Sequence, residues 1–167
     1  VDLEQSSPLI PHCQARAAKI EPNAMQRDAL ASIRQLRDEG QRRAIVISAT
    51  GTGKTYLSAF DVREFQPRRM LYVANRDTIL KAARESYQRV LGCDEAELGL
   101  LAGNSKQHDA KYVFATVDTL RRHIDSFTLI LQRKGREVRT ADIQIVISSS
   151  LFHASGEEIP FGMKWLI

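Results

Sequence analysis

The stretch SATGTGKT, residues 48–55, carries the densest chemistry in the chain. Gly51 and Gly53 let the backbone curl tightly and aim successive N–H groups at an anion. Lys54 follows at the place from which an ammonium reaches the β- and γ-phosphates of a nucleotide, and the Thr55 hydroxyl can ligate Mg²⁺. The run matches the pattern G-x-x-x-x-G-K-[ST] except at its first position, which is Ser48. Such a loop works only where a strand enters it and a helix leaves it. The helix N-terminus then presents unpaired N–H groups and the positive end of its dipole to the same phosphate.

The flanking elements answer that requirement. Ala44 to Ile47 is a short apolar, β-branched run and predicts a strand buried on both faces. After the loop, YLSAFDVREFQ predicts a helix with Leu57, Phe60 and Phe65 on one face. Upstream, NAMQRDALASIRQLRDEG places Ala29, Leu30, Ile33 and Leu36 at helical spacing. Asn23 and Gln26 form a capping-box pair at its start, and Gly40 is a stop at its end. Downstream come a strand in RRMLYVAN and a helix in DTILKAARESYQRVLG with Ile79, Ala83, Tyr87 and Val90 on one face, closed by Gly92. Further strands are expected in LGLLAGN and KYVFAT, with a helix in VDTLRRHIDSF. Strands alternating with helices predict βαβ units and a parallel sheet covered on both faces. Past residue 126 the pattern weakens: FTLILQRKGREVRTADIQIVIS reads as two strands around Lys134-Gly135, or ADIQIVIS alone as a fifth parallel strand. Residues 1–21, with Pro8 and Pro11, read as a leader or linker, and residues 22–167 as one domain.

The composition limits what else the chain can be. At 167 residues, 43% hydrophobic and 26% charged, it suits one globular domain and not a disordered or fibrous class. No apolar run approaches the roughly 18 residues of a membrane span, and the first residues have no signal-peptide pattern. Cys13 and Cys93 lack any CxxC or Cys/His context and read as free thiols, which suggests a cytoplasmic setting. The net charge of +4 permits a polyanionic partner without requiring one.

ATGTGKT resembles motif I of superfamily 2 helicases and translocases, most of all the branch with the ATPase subunits of type I and type III restriction enzymes and related DNA repair helicases. The resemblance covers about residues 20 to 126. It implies a three-layer, RecA-like P-loop NTPase α/β fold, here incomplete, with 122–167 poorly matched. It further implies ATP and Mg²⁺ as cofactors, with Gln26, Thr50, Gly51, Thr52, Gly53, Lys54 and Thr55 at the nucleotide and Thr55 on the metal. In IEPNAMQRDAL, Gln26 matches the upstream glutamine whose carboxamide reads the adenine edge; the same side chain can serve the capping box. In LYVANRDTIL, Arg76 matches the basic residue of motif Ia, which holds a nucleic-acid backbone; Asn75 and Asp77 can instead be helix caps. In KYVFATVDTLRRH, Thr116 and Thr119 match a T-x-x-T-L element that holds phosphate; Thr116 or Asp118 can equally be a plain N-cap. The basic residues that follow, Arg121, Arg122, Arg133, Lys134, Arg136 and Arg139, are either a nucleic-acid patch or a solvated face.

One departure from the family is plain. Its second acidic motif is a strand ending in Asp-Glu, which holds Mg²⁺ and orients the attacking water. Here the strand Asp142 to Ile147 runs into Ser148, Ser149 and Ser150, with His153 and Ala154 in register with the motif's ending and Glu157 and Glu158 too far along. The expectation is therefore the ATP-binding motor domain of a DNA helicase or translocase, from a restriction or repair system, itself poor in hydrolysis and joined to further domains or subunits. The alternatives are a non-catalytic nucleotide- or nucleic-acid-binding regulatory module, and a P-loop kinase or other nucleotidyl-handling enzyme.

Overall fold

The computed structural model describes residues 20–103, 105–122 and 143–148. Its described elements are, in chain order, α1 Ala24–Asp38, α2 Lys54–Phe65, β1 Arg69–Ala74, α3 Asp77–Leu91, a short 3₁₀ turn Glu95–Glu97, β2 Leu98–Ala102, β3 Ser105–Lys106, β4 Tyr112–Thr116, α4 Val117–Arg122 and β5 Ile143–Ile147. The sheet order is β3-β2-β4-β1-β5. β2, β4, β1 and β5 run parallel, and only the two-residue β3, unforeseen in the sequence, pairs antiparallel, with the end of β2. The register sets Ala74 beside Thr116 and Val73 beside Ile147, so β1, β4 and β5 finish at one edge.

The period-two alternation of the strands divides the core. Met70, Tyr72, Ala74 and Phe114 face one side and pack with Leu57, Phe60 and Val62 of α2, Leu80, Ala83 and Tyr87 of α3, and Leu30 of α1. Leu71, Val73, Val113, Ala115 and Ile147 face the other, where Val117 and Leu120 of α4 cover them. Tyr87 stands edge-on to both Tyr72 and Phe114, with ring centroids 5.7 and 5.2 Å away. Its hydroxyl donates to Ser58 Oγ at 2.9 Å, which satisfies a polar group no water reaches.

The helix boundaries follow local chemistry. Asn23 and Gln26 form the expected capping box on α1, and Gly92 ends α3 in the left-handed conformation. On α3 Leu80 and Tyr87 have no exposure, while Ile79 is only half-buried. On α2, Leu57 and Phe60 are buried as expected, but Phe65 is not; it lies outside the core beneath the Arg37 guanidinium, 4.3 Å from the ring centre.

The run Ala44–Ile47 departs further from expectation. It makes an isolated bridge at Ile45 and no ladder, and Ile45 and Ile47 are 58% and 91% exposed. Only Val46 packs against the core. β-branched residues favour a strand because they pack on neighbouring strands, and along this run no ladder forms among the described residues. The parallel strand expected in ADIQIVIS is present as β5, one of four that run parallel. The leader up to residue 19, the basic residues Arg133 to Arg139, Asp142, and everything from Ser149 onward, including Glu157 and Glu158, lie outside the described residues.

Candidate functional site

The phosphate loop closes on itself through its own hydroxyls and carbonyls. Gly51 and Gly53 both adopt positive φ, 80° and 78°, a conformation that L side chains rarely take. The Ser48 and Thr52 hydroxyls lie 2.7 Å apart, and Thr52 Oγ1 donates to Ala49 O at 2.8 Å. Lys54 Nζ donates back to Ser48 O and Ala49 O at 3.0 and 2.7 Å, so the ammonium sits in the mouth of the loop. Gly53 is the N-cap of α2 and no side chain caps that helix. Its first N–H groups therefore remain as donors around the loop.

Gln26 joins this loop to α1. Its Oε1 accepts from Asn23 N–H at 3.0 Å, and its Nε2 donates to Gly53 O at 3.3 Å. The contact is tight enough that a Cβ on Gly53 would come within 2.8 Å of Nε2. Gln26 is 7% exposed, and the two bonds leave one amide hydrogen and one oxygen lone pair on the carboxamide. Capping and base recognition are thus compatible.

β1 and β4 bring the other expected residues to the same sheet edge. Arg76, exposed, is the N-cap of α3 with no side-chain cap bond, so neither Asn75 nor Asp77 caps that helix. Thr116 ends β4, donates to Thr119 Oγ1 at 2.8 Å and accepts from Thr119 N–H at 3.3 Å. Thr116 is therefore the cap of α4 and its hydroxyl faces Thr119 rather than solvent. Ala74 and Thr116 are register partners, which puts Arg76 and the T-x-x-T element side by side at the carboxyl ends of parallel strands, where α/β sheets bind their ligands.

Tyr72 is a site residue the sequence reading missed. Burial pushes its phenol above the usual range, while the Ser148 and Thr55 hydroxyls beside it pull the other way. Ser148 is fixed by its N–H, which donates to Val73 O at 2.8 Å. The Thr55 and Ser148 side chains thus both bear on the Tyr72 phenol. The signal was available in principle: in a strand of alternating burial, Tyr72 shares the face of Met70 and Ala74, the face that α2 covers.

Thr55, which the resemblance assigns to Mg²⁺, offers one neutral hydroxyl at the start of α2, and the residues after Ser148, which follow the strand of the family's second acidic motif, lie outside the described residues. Among the described residues no three His, Cys, Asp or Glu side chains cluster.

A second polar group lies below the site. Asp61, on α2, is buried and accepts from Arg37 Nη1 and Nη2 at 2.8 and 2.6 Å and from Gln144 Nε2 at 2.6 Å. It ties α1, α2 and β5 together under the loop.

Comparison with known proteins agrees with this architecture. A family model described as "Type III restriction enzyme, res subunit" matches residues 19–148. No curated protein sequence matches. Two crystal structures of the UvsW helicase of bacteriophage T4 share the fold. One is 17% identical with a TM-score of 0.55, over 77% of this chain and 43% of that one. The other is 16% identical with a TM-score of 0.57, over 77% of this chain and 24% of that one. The chain thus spans less than half the length of the UvsW chains it matches.

Proposed function

The chain belongs to the family of the type III restriction enzyme res subunit, a superfamily 2 helicase motor domain of RecA-like α/β fold, and on that premise we propose that it is the nucleotide-binding half of a DNA-acting motor. The observation that carries the reading is the phosphate loop itself. Two glycines in the left-handed conformation, the Lys54 ammonium and the uncapped start of α2 come together in one short loop. Thr50, Gly51, Thr52, Gly53, Lys54 and Thr55 hold the triphosphate of ATP. Gln26 offers its remaining hydrogen and lone pair to adenine. Arg76, with Thr116 and Thr119 behind it, meets the phosphate backbone of DNA, a contact that positions without reading sequence.

Hydrolysis needs more than these groups. Charge must be stabilised as the γ-phosphoryl transfers, and a water must be positioned. The place of the positioning acid is taken by Ser148, and a serine hydroxyl is no base at neutral pH. Binding therefore survives where turnover does not. The test is ATP binding and ATP turnover measured side by side, with and without DNA. The expected result is saturable binding, turnover far below that of a complete helicase, and no stimulation by DNA. DNA-stimulated turnover that disappears in Lys54→Ala would show that another acid does the work of the second motif.

A second reading, a non-catalytic module that regulates a partner through its nucleotide state, is favoured by the same Ser148. The two part on DNA: the first reading expects the chain to bind it with an affinity that falls steeply with salt, and the second expects no such binding.

A further inference from the structure

We propose that Arg63 is a positioning residue for the base of the nucleotide: it pins the chain as it enters α1 and so sets the place of Gln26. The inference rests on the adenine reading of Gln26 above and adds the residue that holds that glutamine against the phosphate loop.

Arg63 lies far from the phosphates. Ten positions of α2 separate it from Gly53, about 15 Å along the helix axis. Its guanidinium packs over the Phe60 ring of its own helix, 5.0 Å from the ring centre. From there Nη1 donates to Ile20 O at 2.8 Å and lies 3.5 Å from Val90 O near the end of α3, while Nη2 is 3.5 Å from the Glu21 carboxylate. The side chain is 23% exposed, so most of it is out of water, where a charged donor holds its acceptor more firmly than a surface pair does. One guanidinium thus joins α2, α3 and the approach to α1.

That approach is short and stiff. Ile20 itself packs on the main core. Pro22 fixes its own φ and biases Glu21 toward extended backbone. Arg27 Nη1 donates to Pro22 O at 3.0 Å. Asn23 then caps α1, and its N–H is the donor to Gln26 Oε1 at 3.0 Å. Six positions carry the chain from Ile20, held by Arg63, to Gln26, whose Nε2 meets Gly53 O at 3.3 Å. That last bond is long, and a small shift of the helix start takes it out of range. Helix starts fray unless they are tied down. Releasing Ile20 O therefore loosens the first turn of α1 and the carboxamide with it. The phosphate loop keeps its own bonds, from Thr52 and Lys54 to the carbonyls of Ser48 and Ala49.

The experiment is calorimetric titration of the full chain with ATP and, separately, with inorganic triphosphate, which has no base to meet Gln26. Arg63→Met keeps an apolar stem over Phe60 and removes the donors. In this variant ATP affinity should fall about tenfold, while triphosphate affinity stays within about twofold of the wild type. Gln26→Ala should cost as much as Arg63→Met, and the double variant should cost no more than either alone. Equal weakening of both ligands in a folded Arg63→Met overturns the proposal, as does unchanged ATP affinity or full additivity of the two substitutions. If the wild type binds ATP no tighter than triphosphate, the adenine reading falls and takes this inference with it. If neither ligand binds, it is the phosphate-loop assignment that falls. Should Arg63→Met not fold, Arg63→Lys keeps the charge without the fork and decides in its place. The same split between ATP and triphosphate is expected there at about threefold, and its absence overturns the proposal.

Discussion

Truncating Lys54 to alanine removes an ammonium that the free protein holds against two loop carbonyls, Ser48 O at 3.0 Å and Ala49 O at 2.7 Å. The lysine is therefore not idle before ATP arrives, and its contribution to affinity is the difference between two sets of contacts. A hydrogen bond from a charged donor is worth about 1.5–3 kcal/mol, and one between two ions is roughly twice a neutral one. Moving from neutral carbonyls to an ionised phosphate gains, and the carbonyls left behind return to water because Ala49 is exposed and Ser48 is only partly buried. The surplus after exchange is about 1.5 kcal/mol, near the low end of that range, which is roughly tenfold in Kd. The free protein should also lose stability on truncation, by less than about 1 kcal/mol, since exposed contacts contribute little. Calorimetric titration of ATP into the wild type and Lys54→Ala, with a thermal melt of each, reads both quantities. A Kd within about twofold of the wild type, with the fold intact, means that the triphosphate does not meet this lysine. A loss of about a thousandfold contradicts the exchange argument from the other side, because it would mean that leaving the carbonyls has no cost.

Asp61→Ala should cost about 3 kcal/mol in urea unfolding, because it strands the Arg37 guanidinium and leaves Gln144 Nε2 without its acceptor; the low end applies since the Arg37 side chain is 29% exposed and can turn to water, and a change under about 1 kcal/mol would show that the group holds nothing together. Burial drives the Tyr87 phenol well above its usual range, against the Ser58 bond that pulls it down. The folded chain thus keeps a proton that the unfolded chain releases near pH 10. Stability is whole below about pH 10 and falls above it, by up to about 1.4 kcal/mol per pH unit for each such group, with Tyr72 adding to the slope. Tyr87→Phe should flatten that slope in denaturant melts across alkaline pH, and an unchanged slope would assign it elsewhere. Arg76→Ala should reduce the salt dependence of DNA binding by roughly one contact without altering sequence preference, measured as the slope of log affinity against log salt; an unchanged slope would make Arg76 a solvated surface residue.

What the sequence made legible is local. Asn23 and Gln26 stand three apart and cap one helix, and the glycines, Lys54 and Thr55 form their loop within eight residues. Such features need no knowledge of the rest of the chain. What stayed hidden depends on distant neighbours. Arg37 meets Asp61 across 24 positions, and Gln144 reaches the same carboxylate across 83, with nothing in the spacing to announce either. Tyr72 looked like one more apolar residue in a buried strand until β5 placed Ser148 beside it. Ala44–Ile47 misled for the converse reason: its composition describes a strand with neighbours on both sides, and pairing is a property of the partners as much as of the run. Thr116 shows a middle case, where the residue was found and the capping of α4, one of two roles open to it, is what its hydroxyl does here.

The capping box of α1 has a bearing on base identity. A carboxamide is nearly symmetric in shape, and a free glutamine can turn its oxygen and nitrogen about to suit whichever base arrives. Gln26 has no such freedom. The Asn23 N–H demands the oxygen on one side, and the Gly53 carbonyl demands the nitrogen on the other. The order of donor and acceptor left facing the site is therefore locked before any base enters. Adenine offers a donor at N6 beside an acceptor at N7, which a locked donor–acceptor pair can answer; guanine offers acceptors at both O6 and N7, and one of them would face the amide oxygen. On the adenine assignment proposed above, discrimination against guanine comes from Gln26, 27 residues before Gly53, and because the donor at residue 23 is its backbone N–H, the order stays locked whatever side chain other than proline stands there.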